Sequence, residues 1–250
     1  MHHTNTILPV ITDIAEQAGA YIMRHYRGDH AVTRKEDASP VTETDREADR
    51  YIVARLKEID AGIPVVSEEG EKPDVSGAEY FWLVDPLDGT KSFIRGSGYF
   101  TVNIALVQHH RDPVLGVIYE PVGKTLYYGS KAGAFKTENG KTHPISMRLP
   151  PAAPAAIVSH SHLDKNTEQY LAQNAIVEKI PCASSIKFCF LAEGKADIYP
   201  RFGPTMEWDI AAGHAILQAA GGTLVTPEGQ PFTYGKKDFL NGNFIARKRG

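Results

Sequence analysis

The apolar run Trp82-Leu83-Val84 leads directly into Asp85-Pro86-Leu87-Asp88-Gly89-Thr90, and this junction constrains the chain more than any other stretch. Asp85 falls at the carboxyl end of a predicted strand. Pro86 withdraws the backbone donor that a continuing strand would use, so the chain is expected to turn there and bring Asp88 back beside Asp85. Two carboxylates that close repel unless a cation lies between them, and oxygen ligands without His or Cys nearby favour Mg²⁺, Mn²⁺ or Ca²⁺ over Zn²⁺. Gly89 and Thr90 are expected to open a helix, whose unpaired N–H groups and positive dipole end suit a phosphate oxygen. An Asx-type turn with a Thr cap accounts for the same residues without any ligand.

With 250 residues, the chain can bury roughly 70–75% of its unfolded surface, enough for one large domain or two packed lobes. Ile7, Ile11, Ile14, Ala18 and Ile22 recur at helical spacing and predict an amphipathic helix over about 5–27, ended by Gly28. Val41-Thr42-Glu43-Thr44-Asp45 leads into a second helix with Ala48, Ile52, Leu56 and Ile59 on one face. Thr44 or Asp45 is its candidate N-cap, and capping alone is a sufficient reason for Asp45. The strand Ile63–Val66 then delivers a second pair of acids, of which Glu68 is expected to face inward more than Glu69. Thr101–Gln108, Val114–Tyr119, Thr125–Tyr128 and Ala134–Lys136 alternate or run apolar, which predicts an antiparallel meander.

Leu149-Pro150-Pro151-Ala152-Ala153-Pro154 is the candidate linker, dividing a single 1–250 catalytic unit into lobes 1–150 and 151–250. In the second lobe, strands at Ala156–Ser159, Ile176–Ile180 and Asp197–Tyr199 alternate with helices at Asp164–Gln173 and Ser184–Glu193. That alternation predicts a mixed or parallel sheet covered on both faces, hence a layered α/β fold. A last helix, about Asp209–Ala220, stops at Gly221-Gly222 and places Asp209 at a helix start, where an N-cap is the simpler role. Glu68, Asp85, Asp88 and Asp209 thus all lie at element ends in separate segments, the arrangement that metal sites for phosphoryl transfer use.

Charge and cysteine content narrow the partners. Lys and Arg total 27 against 30 Asp and Glu, a net charge of −3, so no basic field attracts a nucleic-acid polymer or an anionic membrane. A small anionic ligand would need local cations. Cys182 and Cys189 are the only two cysteines, too few for a disulfide framework and wrongly spaced for zinc, and are expected to be packing residues in a reducing compartment. No run approaches 18 apolar residues and no leader-peptide pattern opens the chain, so a cytoplasmic protein without an integral membrane segment is expected, the inner face of the cell membrane being the other location considered.

"WLVDPLDGTKSFI", "EWDIAAGHA", "VVSEEG" and "SPVTETD" together resemble, in order and spacing, the motifs of the lithium-sensitive, magnesium-dependent phosphomonoesterases that include inositol monophosphatase and the bisphosphate nucleotidases. "VSHSH", "SSIKFCFLAEGKADIYPRFGPT" and "FTVNIALV" are more similar to the nucleotidase branch. The resemblance implies a fold of alternating helix and sheet layers. It implies Glu68, Asp85, Asp88, Asp209 and the Leu87 carbonyl as ligands of two or three Mg²⁺ ions, and Asp45 with Thr90, assisted by Glu68, as the group that activates water. Substrate would also contact Gly89, Ser159, His162, Ser184 and Lys187; at the last site the branch's usual Gly-Ser-Ser is replaced by Ala183-Ser184-Ser185. The implied reaction is hydrolysis of the 3'-phosphate of adenosine 3',5'-bisphosphate to AMP, with 3'-phosphoadenylyl sulfate as a second substrate, in sulfur assimilation and nucleotide recycling. Inositol monophosphate, histidinol phosphate or another small sugar phosphate is the alternative substrate class, and the oligomeric state is left open.

Overall fold

A computed structural model describes residues 3–26, 32–34, 40–160 and 163–249. Helix α1 (His3–His25) buries Ile11, Ile14, Ala15, Ala18 and Ile22, the stripe its spacing predicts, while the expected stop at Gly28 lies outside the described residues. A short antiparallel pair, β1 (Val32–Arg34) and β2 (Pro40–Thr42), leads into α2 (Glu43–Ile59). The large sheet then runs in chain order: β3 (Val65–Ser67), β4 (Tyr80–Asp88), β5 (Thr101–Gln108), β6 (Asp112–Glu120), β7 (Thr125–Ser130), β8 (Gly133–Glu138) and β9 (Lys141–Ile145). Only β3 and β4 are parallel. The meander is as predicted, with β9 added; its exposed Lys-Thr-His-Pro-Ile sequence carries no apolar alternation. A five-residue helix, α3 (Thr90–Ile94), sits between β4 and β5.

The second half contributes β10 (Ala155–Ser159), α4 (Lys165–Gln173), β11 (Glu178–Cys182), α5 (Ile186–Ala192), β12 (Ile198–Arg201), β13 (Thr205–Met206), α6 (Glu207–Ala219), β14 (Gly222–Val225), β15 (Leu240–Asn241) and β16 (Phe244–Lys248). Five of these strands form a mixed sheet in the order β11-β10-β12-β16-β14, and β13 pairs with β15. The expected strand at Ile176–Ile180 begins two residues later because Ile176 has another task. Ala175 adopts φ 53°, its N–H bonds the Ala172 carbonyl, and the Ile176 N–H bonds Leu171, a Schellman closure with buried Ile176 packed near Leu171.

The central strands of the large sheet, β3 to β7, serve two cores. In β4, Trp82 and Val84 face α1 and α2, whereas Phe81 and Leu83 face α5 and α6; β5 divides the same way, with Val102, Ile104 and Leu106 against Ala105 and Val107. The second core continues across α5 and α6 into Ile157, Tyr199, Phe244 and Ala246 of the small sheet, while Ala156, Val158, Ile198 and Leu171 form a third core under α4. The layers are therefore helix, sheet, helix, sheet, helix, in agreement with the expected layered α/β class. Phe188, Tyr199 and Phe244 pack edge-to-face or stacked at centroid distances of 5.2 to 5.9 Å across the central layer. Helix α6 lies tight on the large sheet because two strand residues lack side chains: a Cβ on Gly116 would sit 2.3 Å from the Ala212 carbonyl oxygen, and one on Gly129 2.6 Å from Ile216 Cα. Among the described residues, no helix is long and apolar enough to cross a membrane.

Candidate active site

Strand β4 carries Asp85 and Asp88 to the edge of the central helical layer. Pro86 does not end the strand, contrary to the turn expected there. Asp85 pairs with Asn103 and Asp88 with Thr101, with a register shift between them, so the extra residue is taken up as a bulge where Pro86 needs no ladder donor. Within it the Leu87 N–H donates to Asp85 Oδ1 at 3.0 Å, and the Leu87 carbonyl accepts from Thr90 Oγ1 at 3.2 Å. Gly89 follows at φ 98°, and a Cβ there would lie 2.6 Å from the Tyr99 carbonyl oxygen, so the turn requires glycine on two counts.

Asp45 is both a capping residue and a partner of the motif. The N-cap of α2 is Thr42 rather than Thr44 or Asp45; Asp45 sits at the third helical position and accepts the Thr42 N–H on Oδ2 at 2.8 Å, as well as the Thr42 hydroxyl. Its other oxygen, Oδ1, accepts from Thr90 Oγ1 at 3.0 Å. Burial raises the Asp45 pKa, against the hydrogen bonds from Thr42 and Thr90. Asp209 repeats the pattern: α6 starts at Glu207, so Asp209 is again the third residue and not the N-cap, and its Oδ2 accepts the Met206 N–H at 2.7 Å.

Glu68 continues the pairing of β3 with β4 through its N–H to the Val84 carbonyl at 3.1 Å, which sets it next to Asp85. Two residues that sequence reasoning missed hold this corner. Asp49, one turn beyond Asp45 and also buried, accepts the Ser67 hydroxyl. Lys72 Nζ donates to the carbonyls of Ser67, Glu68 and Gly70 at 3.1 to 3.4 Å and lies 5.2 Å from the centre of the Trp208 ring, next to Asp209.

The start of α5 closes the other side. The Ser185 N–H donates to Asp88 Oδ2 at 2.6 Å, and the Ser185 hydroxyl links Asn103 and Thr101 at 2.7 and 2.8 Å. Lys187 is buried, at 7% exposure, with Nζ donating to the Ser184 carbonyl at 2.5 Å; burial lowers its pKa and the charge of Asp88 opposes that. Ser184 is held at φ 51°, and its buried hydroxyl has no partner among the described residues. A non-glycine residue in that conformation is worth attention as a functional feature. Ser159 ends β10, paired with Cys182 of β11 one residue before Ala183, while His162 lies outside the described residues. Cys182 and Cys189 are free and buried, consistent with packing roles.

The electrostatics of the cluster test whether a divalent cation fits. Burial, then the charges of Glu68, Asp88 and Asp209, hold the Asp85 carboxyl well above the usual range. Asp209 is pushed up to about 8, by burial first and Asp88 second. Asp88 is raised by burial, against Lys187 and the Ser185 N–H. Acids this mutually repulsive ionise together only when a cation neutralises them, and an all-oxygen donor set suits Mg²⁺. Among the described residues no group of three His, Cys, Asp or Glu side chains is gathered as a metal site. The fit therefore rests on the donor set and its electrostatics.

A model of the inositol monophosphatase family matches residues 3–249. The chain belongs to the inositol monophosphatase family. Within it, the chain is 43% identical over 244 residues to the 3'(2'),5'-bisphosphate nucleotidase CysQ of Salmonella typhimurium, covering 95% of this chain and 98% of that one. Identity to the protein of the same name from Buchnera aphidicola is 40% over 254 residues, covering 96% and 93%. The crystal structure of CysQ from Bacteroides thetaiotaomicron, a bacterial member of the same family, superposes with a TM-score of 0.85 at 42% identity over 96% of this chain and 97% of that one. The extragenic suppressor protein SuhB of Bartonella henselae gives 0.79 at 28% identity, over 98% and 94%. The family's layered fold is thus the fold described above.

Proposed function

We propose that this chain is a Mg²⁺-dependent 3'(2'),5'-bisphosphate nucleotidase that hydrolyses the 3'-phosphate of adenosine 3',5'-bisphosphate to AMP and phosphate, with 3'-phosphoadenylyl sulfate as a further substrate and the cytoplasm as its place of action. The observation that carries the reading is the Thr90–Asp45 hydrogen bond beside buried Asp85 and the half-buried acids Glu68, Asp88 and Asp209. A proton acceptor and an anion-compensating metal site share one corner, as phosphomonoester hydrolysis requires. The relatives named for the nucleotidase, at 40–43% identity over almost the whole chain, support the substrate.

Glu68, Asp85, Asp88, Asp209 and the Leu87 carbonyl would hold the metal, two or three ions in all. When bound, Mg²⁺ supplies Lewis-acid neutralisation of phosphoryl and leaving-group charge and makes water more acidic. Thr90 Oγ1 gives its proton to Asp45 Oδ1, which leaves its lone pairs to orient the attacking water and accept its proton. The raised pKa of Asp45 makes it a better base at neutral pH than an exposed aspartate, and its Oδ2 stays anchored on Thr42. Gly89 lets the chain approach the phosphate, and Ser159, Ser184, Lys187 and His162 hold the nucleotide side. Water attacks directly, without a covalent enzyme intermediate.

A substrate panel at saturating Mg²⁺ tests the proposal. The kcat/KM for adenosine 3',5'-bisphosphate should exceed that for inositol 1-phosphate by more than about tenfold, ~1.4 kcal/mol of discrimination. The nucleoside product should be AMP and not adenosine 3'-monophosphate. A preference for inositol phosphate or another sugar phosphate overturns the nucleotidase reading.

A further inference from the structure

At the start of α5, next to the Ser185 that binds Asp88, opens a cleft of about 570 Å³ whose walls include Tyr99, His160, Ala183 and Ile186. Tyr99 is 53% exposed, unusual for a large aromatic side chain, and His160 is exposed as well. Their rings face each other with centroids 6.5 Å apart and planes 24° from parallel. That separation lies near the outer end of the ~4.5–7 Å range for ring pairs. Both rings are tied to the site through backbone. The Tyr99 carbonyl is the group against which Gly89 packs, one residue from Thr90. His160 follows Ser159, and its N–H bonds the Cys182 carbonyl at 3.0 Å, three residues before the Ser185 that binds Asp88.

We propose that Tyr99 and His160 form a two-sided slot for the purine base of the substrate, and that this slot sets the preference for a nucleoside over an inositol ring. The inference rests on the nucleotidase reading. A phosphate held at the Asp85–Thr90 turn leaves the rest of the ligand to extend into the adjoining cleft, and a flat, uncharged, aromatic group is what two near-parallel rings recognise. Rotation of the exposed Tyr99 side chain admits the base between them. An inositol ring is puckered and covered with hydroxyls, so it gains nothing from such a slot. Neither ring belongs to a metal or proton-transfer motif; His160 lies within the "VSHSH" stretch, whereas Tyr99 precedes "FTVNIALV" and carries no signal of its own.

Kinetic constants for adenosine 3',5'-bisphosphate and inositol 1-phosphate in wild type, Tyr99→Ala, His160→Ala and Tyr99→Phe test the slot. Loss of a stacking ring should raise KM for the bisphosphate roughly 5- to 100-fold. The rise should exceed that for inositol 1-phosphate, with kcat changing much less than KM. Tyr99→Phe should keep the wild-type KM, and AMP affinity by titration calorimetry should fall in step in the two alanine variants. Unchanged KM and AMP affinity in both alanine variants overturn the slot while leaving the nucleotidase reading intact, as do equal rises for the two substrates. A wild type that prefers inositol 1-phosphate overturns both.

Discussion

Asp45 divides its two oxygens between two tasks, and the division explains why a capping reading and a catalytic reading of the same residue are compatible. Oδ2 closes the N-terminus of α2 on Thr42, and Oδ1 faces Thr90. Removing the Thr90 hydroxyl therefore leaves the helix cap intact. Thr90→Ala is expected to lower kcat by about 10²–10⁴-fold, the usual contribution of general acid–base assistance, with Mg²⁺ affinity nearly unchanged. Kinetics paired with metal titration check this; a matching loss of Mg²⁺ affinity would place Thr90 among the ligands instead. The placing of Asp85, Asp88, Glu68 and Asp209 at the ends or starts of elements was legible because each borders an apolar segment, a signal local to a few residues. Asp49 and Lys72 were not. A polar residue one turn along a helix and a lysine in an acidic loop both read as solvated, and their partners, Ser67 and its neighbours, are fixed only by how α2 meets β3. Lys187 was named through resemblance, yet its burial beside Asp88 was invisible to a reading that expects lysines on helices to face water.

Helices and strands were legible where periodicity was strong, as in α1 and in β4 to β8. The misreadings share a cause: a residue with a clear local preference was recruited by tertiary structure. Pro86 was expected to turn the chain and instead sits in a bulge inside β4, and Ile176 was assigned to a strand while it closes α4. The close seating of α6 on β6 and β7 was also beyond the sequence, since Gly116 and Gly129 look like any strand glycine until the helix is placed over them. That contact positions Asp209, which α6 carries at its first turn. Gly116→Ala should force the helix off the Ala212 carbonyl, 2.3 Å from the added methyl, and destabilise the fold by the ~1–3 kcal/mol typical of overpacking. Urea unfolding measures it, and a variant as stable as wild type would show that the layer can relax without cost.

For the whole molecule, the proposed lobes 1–150 and 151–250 meet in one central core, where α5 and α6 of the second pack on the large sheet of the first. The active corner draws residues from both, so its electrostatics act on global stability. Asp85 and Asp209 carry raised pKa values, the latter about 8, and so bind protons more tightly folded than unfolded. Their stabilising protonation is present at low pH and is lost as pH rises from the unfolded value near 4 through about 8. In EDTA, the wild-type melting temperature should therefore fall relative to that of Asp209→Asn between about pH 5 and pH 8, a comparison in which the opposite contribution of buried His214, its pKa lowered to about 3, cancels. Mg²⁺ should restore more of the wild-type value at the higher pH, where the acids give up protons to bind the ion. Scanning calorimetry at the two pH values checks this, and a Mg²⁺ effect larger at low pH would contradict it. The most direct test of the account follows phosphate release from adenosine 3',5'-bisphosphate as Mg²⁺ is varied, in wild type and in Asp209→Asn. Wild-type activity should be absent in EDTA and saturate with Mg²⁺. The variant should keep the wild-type circular dichroism, require much more Mg²⁺ and lose at least ~10–100-fold in rate. Activity that persists in EDTA, or a Mg²⁺ curve that Asp209→Asn leaves unmoved, would contradict the assignment of the acid cluster.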